Sequence, residues 1–186
     1  MLGNIIEKSY QRINGRWLLI ALSVFIFFIM VVLPGEAQRS QQYFGGSSTP
    51  DTSFIYSGDD LYQMARDFGQ EGRAYYIRSR FTFDVFWPMA YGFFLWTAIA
   101  YFGKPFRKSA CRFALVLPFL GVTLDVLENM GASWVMWAYP ERMPLLLWAV
   151  PFFTLSKWLV IGGSFAALVL LIMANGVRFV KSTPLN

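Results

Sequence analysis

Residues 113–137 read FALVLPFLGVTLDVLENMGASWVMW, and the spacing of their few polar members decides the fold. Pro118, Gly121, Val122, Asp125, Glu128, Asn129 and Ala132 recur three or four residues apart, so a helix carries them on one face. Its other face is Leu, Phe, Val and Met. Small residues let neighbouring backbones approach and polar ones bond across, so the Asp125–Glu128–Asn129 face points at other helices and the greasy face at lipid.

Three more runs are long enough to cross a hydrocarbon layer about 30 Å thick. They are residues 17–34, which Pro34 and Gly35 should end, residues 82–102, and residues 147–174, which Asn175 and Gly176 should end. Hydrophobic residues make up 56% of the 186-residue chain, and charged residues only 15%, which is too apolar for a soluble core to hide. The expected fold is all-α: one membrane domain over residues 1–186, a polytopic four-transmembrane-helix bundle with a short extracytoplasmic helical cap between helices 1 and 2.

Basic residues set the orientation. The amino end (Lys8, Arg12, Arg16), the connection at Lys104, Arg107, Lys108 and Arg112, and the tail (Arg178, Lys181) carry Glu7 as their only acid. The opposite side carries arginines diluted by acids, so both termini are expected in the cytoplasm of a multi-pass cell-membrane protein, and the compact plan fits a prokaryotic plasma membrane. The first run exceeds the usual signal-peptide core, which makes it an uncleaved anchor rather than a signal. Trp17, Tyr101, Trp134, Trp137, Tyr139 and Trp148 fall near predicted ends, as an interfacial belt requires.

The external stretch, residues 35–81, divides in two. Its first part, through Gly45-Gly46-Ser47-Ser48-Thr49-Pro50, reads as flexible loop. Ser57 with Asp60 three residues on then forms a capping-box-like start. Leu61, Met64, Ala65 and Phe68 follow at helical spacing before Gly69 stops the helix. A second amphipathic stretch, residues 71–81, runs toward the second membrane helix, the two together lying as a cap on the mouth.

The chain has no histidine and one cysteine, Cys111. That excludes a Ser-His-Asp or Cys-His nucleophile, histidine-bound zinc or haem, and an internal disulfide. No metal and no cofactor is expected, and nothing points to nucleic acid. The sequences of intramembrane aspartyl proteases, CDP-alcohol transferases, rhomboids and ceramidases are also missing: Gly121-Val-Thr-Leu-Asp125 is not a Gly-x-Gly-Asp motif. In outline the plan is similar to that of sterol-isomerase-like membrane proteins, with which it shares no motif.

What remains is a buried ionic site. Lys157 lies about 15 Å below the outer surface by helical rise, and Glu128 and Asp125 about 14 and 18 Å. A lone lysine at that depth costs at least about 2.5–3.5 kcal/mol, so an ion pair of Lys157 with Glu128 or Asp125 is expected, with Thr154 and Ser164 as hydrogen-bonding neighbours. Asp84 and Arg80 are four apart and can pair, Pro88 lies one turn on, and Tyr91 follows. Asp84, Asp125, Glu128 and Lys157 together leave an excess of negative charge, which calls for Arg80 or Arg78 to join, or for a protonated carboxyl. Arg66, Arg73, Arg78 and Arg80 otherwise read as a solvated face against lipid phosphates.

The expected ligand-binding residues are thus Asp125, Glu128, Asn129, Lys157, Thr154, Asp84, Tyr91 and Arg80. They suit a lipid, a small apolar ligand, an ion or a proton. Two alternatives stay open. One is a metal-independent acid/base membrane enzyme acting on a lipid-like substrate, with Glu128 or Asp125 carrying the proton and Lys157 tuning the charge. The other is a structural or assembly subunit with a membrane-protein partner or a second copy of itself, the ion pair merely fixing which helix faces which.

Overall fold

The computed structural model describes residues 2–106 and 109–182, so Arg107 and Lys108 of the basic connection lie outside the described residues. Among the described residues there is no strand. The helices are α1 (Leu2–Arg12), α2 (Gly15–Phe27), α3 (Leu33–Phe44), α4 (Gly58–Asp67), α5 (Gly69–Arg80), α6 (Phe83–Gly103), α7 (Ser109–Ala114), α8 (Leu117–Ala138) and α9 (Pro144–Ser182). Four helical stretches are long and apolar enough to cross a membrane: Gly15–Phe44, Gly69–Gly103, Cys111–Ala138 and Pro144–Lys181.

The first stretch corrects the expected stop at Pro34. Proline has no N–H and its ring crowds the carbonyl four residues back. Here a π-helical turn, Phe28–Val32, widens the backbone just ahead of it, and Pro34 sits in the first turn of α3. The chain therefore stays helical to Phe44, replacing the flexible loop expected after residue 35, and ends where Gly45 turns left-handed at φ 59°. Contacts with α5 hold the extension: the Tyr75 hydroxyl donates to Glu36 Oε1 at 2.6 Å, and Tyr43 stacks on Tyr75 at 4.1 Å.

Two further boundaries move. Pro118 occupies the first turn of α8 rather than its interior, so the third stretch breaks after Ala114. Asn175 and Gly176 do not end α9, because the Asn175 amide donates to the carbonyls of Phe102 and Leu171, tying the helix to α6 instead of terminating it.

α8 packs along α9, and α6 packs on both, with α2 leaning on α6. Glycine lets α8 come close to α9: a Cβ on Gly131 would stand 2.6 Å from Val150 Cγ2. Ile13, Phe102, Pro105 and Arg178 meet at one end, through Lys104 to the Ile13 carbonyl and Arg178 to the Pro105 carbonyl. The amino end, the 103–106 turn and the tail of α9 therefore share a side. Large apolar side chains such as Leu19, Met30, Trp137, Trp148 and Leu159 point outward.

The opposite end carries α4 and α5. Ser57 and Asp60 form the capping box: Ser57 N–H donates to Asp60 Oδ2 at 2.8 Å and Asp60 N–H to Ser57 Oγ at 3.1 Å. The Ser57 N–H, and after it the Ser57 hydroxyl donating to the same Oδ2 at 2.7 Å, hold the Asp60 carboxyl below its ordinary range. Leu61 and Ala65 are buried where α4 packs on α8 and α9, Phe68 stacks on Phe44 at 4.1 Å, and Gly69 stops α4 with φ 61°. Burial of one such large side chain is worth about 1.5–3 kcal/mol.

Gly58 touches the start of α9 so closely that a Cβ there would overlap the Leu147 carbonyl oxygen. Backbone cannot move aside as a flexible side chain does. Gly58→Ala should cost about 1–3 kcal/mol and loosen α4 before the rest, seen as faster amide exchange confined to residues 58–67. Unchanged exchange would show that this contact does not hold the cap.

Candidate functional site

The apolar interior is divided. One cluster, with Tyr91, Phe94, Leu95, Ile99 and Ile161, fills the half toward the termini. The other, with Leu61, Tyr76, Val135, Met136 and Val150, lies under α4 and α5. Charged side chains occupy the layer between. A lysine there is tolerable only with carboxylates around it.

Lys157 Nζ contacts three of them. It is ion-paired with Glu128 Oε2, lies 3.2 Å from Asp125 Oδ1, and lies 3.5 Å from Asp51 Oδ1. The expected choice between Glu128 and Asp125 is thus resolved as both. Asp125 is oriented further by the Tyr91 hydroxyl, which donates to Oδ2 at 2.8 Å, and by the Asn129 amide at 3.4 Å. Asp125, Glu128, Asn129 and Lys157 are all at most 5% exposed.

Arg80 completes the layer from the second stretch. Its guanidinium is buried, not on a solvated arginine face. Nε lies 2.9 Å from Asp84 Oδ2, and Nη1 is paired with Asp51 Oδ2. It also lies over the Tyr76 ring, 4.5 Å from the centroid. The other external arginines go elsewhere. Arg66 pairs with Asp67, Arg73 donates to the Ala65 carbonyl, and Arg78 lies over Tyr75.

Asp51 is the residue sequence reasoning missed. It comes from the 46–56 segment, where Pro50–Thr52 forms a single 3₁₀ turn. Thr49 N–H donates to Thr52 Oγ1 at 3.1 Å, and Thr52 N–H returns to the Thr49 carbonyl at 3.1 Å, so the turn is fixed by its own ends. The carboxylate then bridges Arg80 and Lys157. Burial alone raises a carboxyl pKa, but the two cations outweigh it, and Asp51 is held below its ordinary range.

The segment is clasped at a second point. Thr154 Oγ1 donates to the Val150 carbonyl at 3.1 Å, which leaves it to accept from the Tyr56 hydroxyl at 2.7 Å. Burial, and then the charge of Glu128, push the Tyr56 hydroxyl pKa up, so it stays protonated and donating. Phe54 stacks on Trp158 at 4.9 Å. Thr154 therefore holds the loop rather than the lysine. Ser164 donates to the Val160 carbonyl of its own helix at 2.9 Å and takes no part in the ion cluster.

Beside this layer lies a cavity of about 750 Å³. It forms a slot lined by the α2–α3 helix, α6 and α9, with Phe25 and Phe165, 6.2 Å apart, among its walls. Residues of the 46–52 segment border its outer end. Its polar wall contains Asp51, Arg80, Asp84, Asp125 and Lys157, and its apolar walls include Ile29, Leu33, Phe83, Trp87 and Ile161. Of the expected site residues, Asp84, Arg80, Tyr91, Asp125 and Lys157 line it. Glu128, Asn129 and Thr154 do not, and Glu128 is fully enclosed behind Lys157.

Carboxylate oxygens of Asp51, Asp125 and Glu128 lie within 4.8 Å of one another, close enough to share a metal ion. The Lys157 ammonium contacts all three and supplies the positive charge there. Comparison with protein-family models, curated proteins and solved structures finds no match to this chain.

Proposed function

We propose that this chain is an integral membrane protein that binds an amphiphilic, lipid-like ligand in the slot between its first and last spans. Its four long helices form a bundle in the cell membrane, with both termini cytoplasmic and α4–α5 as the external cap. The basic amino end, turn and tail fall on one side, in agreement with that orientation.

The supporting observation is the joint lining of the slot. A purely structural ion pair needs only a dry contact between helices, whereas here the ionic layer forms one wall of a volume large enough for a small molecule. Apolar walls on either side of a charged end match a ligand with a tail and a head. The acid/base alternative would have to work through Asp125 or Asp84, because Glu128 does not reach the slot.

The test is retention. Ala37 lines the slot but is exposed, so a large side chain fits there without disturbing the core. Protein extracted with its surrounding lipid and analysed by mass spectrometry should retain close to one equivalent of a defined amphiphile, and Ala37→Trp should retain at least tenfold less. Equal retention by the two would overturn the reading.

A further inference from the structure

The charge balance of the ionic layer beside the slot distinguishes the kind of head it takes. Four carboxylates, Asp51, Asp84, Asp125 and Glu128, face only two cations, Arg80 and Lys157. Both cations are already engaged. Arg80 sits between Asp51 and Asp84, while Lys157 sits among Asp51, Asp125 and Glu128. An arriving phosphate or carboxylate would meet two cations that are already ion-paired and would add its charge beside a surplus of acidic groups in a poorly solvated place.

Asp84 shows where the surplus of acidic groups meets the slot. It is 7% exposed and lines the cavity. Its Oδ2 stands 2.9 Å from Arg80 Nε as an ion pair without accepting a hydrogen bond from it, so a buried acceptor on Asp84 and a buried donor on Arg80 both stay short of a partner. The surrounding wall is aromatic, with Phe83, Trp87, Tyr91, Trp158, Phe25 and Phe165 around the same volume. Aromatic faces attract cations and not anions, because the ring quadrupole is negative above and below its plane.

We infer that the ligand's head is a cationic nitrogen, an amine or quaternary ammonium on an apolar tail, seated beside Asp84 within the aromatic lining of the slot. This assignment rests on the slot being the binding site. The excess of carboxylates then has a purpose that helix registry does not give it, since a registry device needs only balanced charges.

The experiment compares three probes of equal tail length on the full chain in an uncharged maltoside detergent: decyltrimethylammonium, decanoate and decanol. Isothermal titration calorimetry reports binding, and Ala37→Trp measures what partitions into micelles alone. Decyltrimethylammonium should bind the wild type at least tenfold more tightly than either other probe, with the difference gone in Ala37→Trp. Asp84→Asn should reduce the preference severalfold and Asp84→Glu should keep it. If decanoate or decanol binds as tightly, and Ala37→Trp still blocks it, the cationic assignment falls while the slot stands. If no probe shows saturable binding that Ala37→Trp removes, both readings fall. Preference for the cation on the wild type decides the matter even if the Asp84 variants do not fold.

Discussion

Lys157→Met should destabilise the protein by about 3–5 kcal/mol, the cost of leaving buried charge without its partner. The effect comes from what stays behind. Asp51, Asp125 and Glu128 bring their oxygens within 4.8 Å of one another, and the ammonium is the group among them that makes this possible. Methionine matches the lysine stem in length and apolar character, so packing against the helix is kept and the missing charge is what is measured. The excess of carboxylates over cations would rise from two to three unless protons are taken up. Neutralising the acids should reverse most of the loss: Lys157→Met combined with Asp125→Asn and Glu128→Gln should unfold close to the wild type, since well-packed neutral groups often replace a buried ion cluster at little cost. Thermal unfolding in detergent reads both variants. Equal damage in the single and the triple variant would show that the ions do not act as a unit.

Much of this layer was legible because a helix converts spacing into direction. Asp125, Glu128 and Asn129 are inward on α8 for the same reason that Gly121 and Ala132 are, and Lys157 was matched to them in depth by helical rise. The Ser57–Asp60 box and Gly69 were equally readable, since each satisfies or ends backbone bonding locally. Asp51 was not. Among the Gly, Ser, Thr and Pro of the 45–53 segment a single acid looks like any solvated loop residue, and what draws it inward is a pair of cations far away in sequence. The signal that pointed toward such a group was the charge imbalance, and it pointed the wrong way: the acids already outnumbered the bases, so a further acid was the last thing to expect. The slot was hidden for a different reason. Phe25, Ile29 and Leu33 belong to a run that is apolar throughout, and nothing in such a run distinguishes a side chain facing lipid from one facing a cavity. The continuation past Pro34 needed the π turn ahead of it, a register change that local propensity does not announce.

Asp51→Asn should release the 46–56 segment while leaving the helices folded. The bridge from Asp51 to Arg80 and Lys157 is the segment's ionic attachment, and the Tyr56–Thr154 hydrogen bond and the Phe54–Trp158 stack are its neutral ones. Hydrogen bonds to charged groups contribute roughly 1.5–3 kcal/mol each, and asparagine keeps the shape but not the charge. A local loss of about 2 kcal/mol corresponds to roughly thirtyfold faster amide exchange across residues 49–56. Global unfolding should move far less, because Arg80 keeps Asp84 and Lys157 keeps Asp125 and Glu128. The same attachment fixes the acid limit of docking. Asp51 has its folded pKa below the unfolded value of about 3.9. Its contribution is therefore complete above that value and disappears only as pH falls through the lowered one. The wild-type segment should stay protected at pH 5 and open at stronger acid, whereas Asp51→Asn should be open at pH 5 already and show no such step. Because Asp51 borders the slot as one of the acids on its polar wall, the variant couples two readouts: the segment opens as the local preference for a cationic head weakens. Identical exchange in wild type and Asp51→Asn would mean that Tyr56 and Phe54 alone hold the segment, and that the Asp51 bridge contributes nothing to closing the slot.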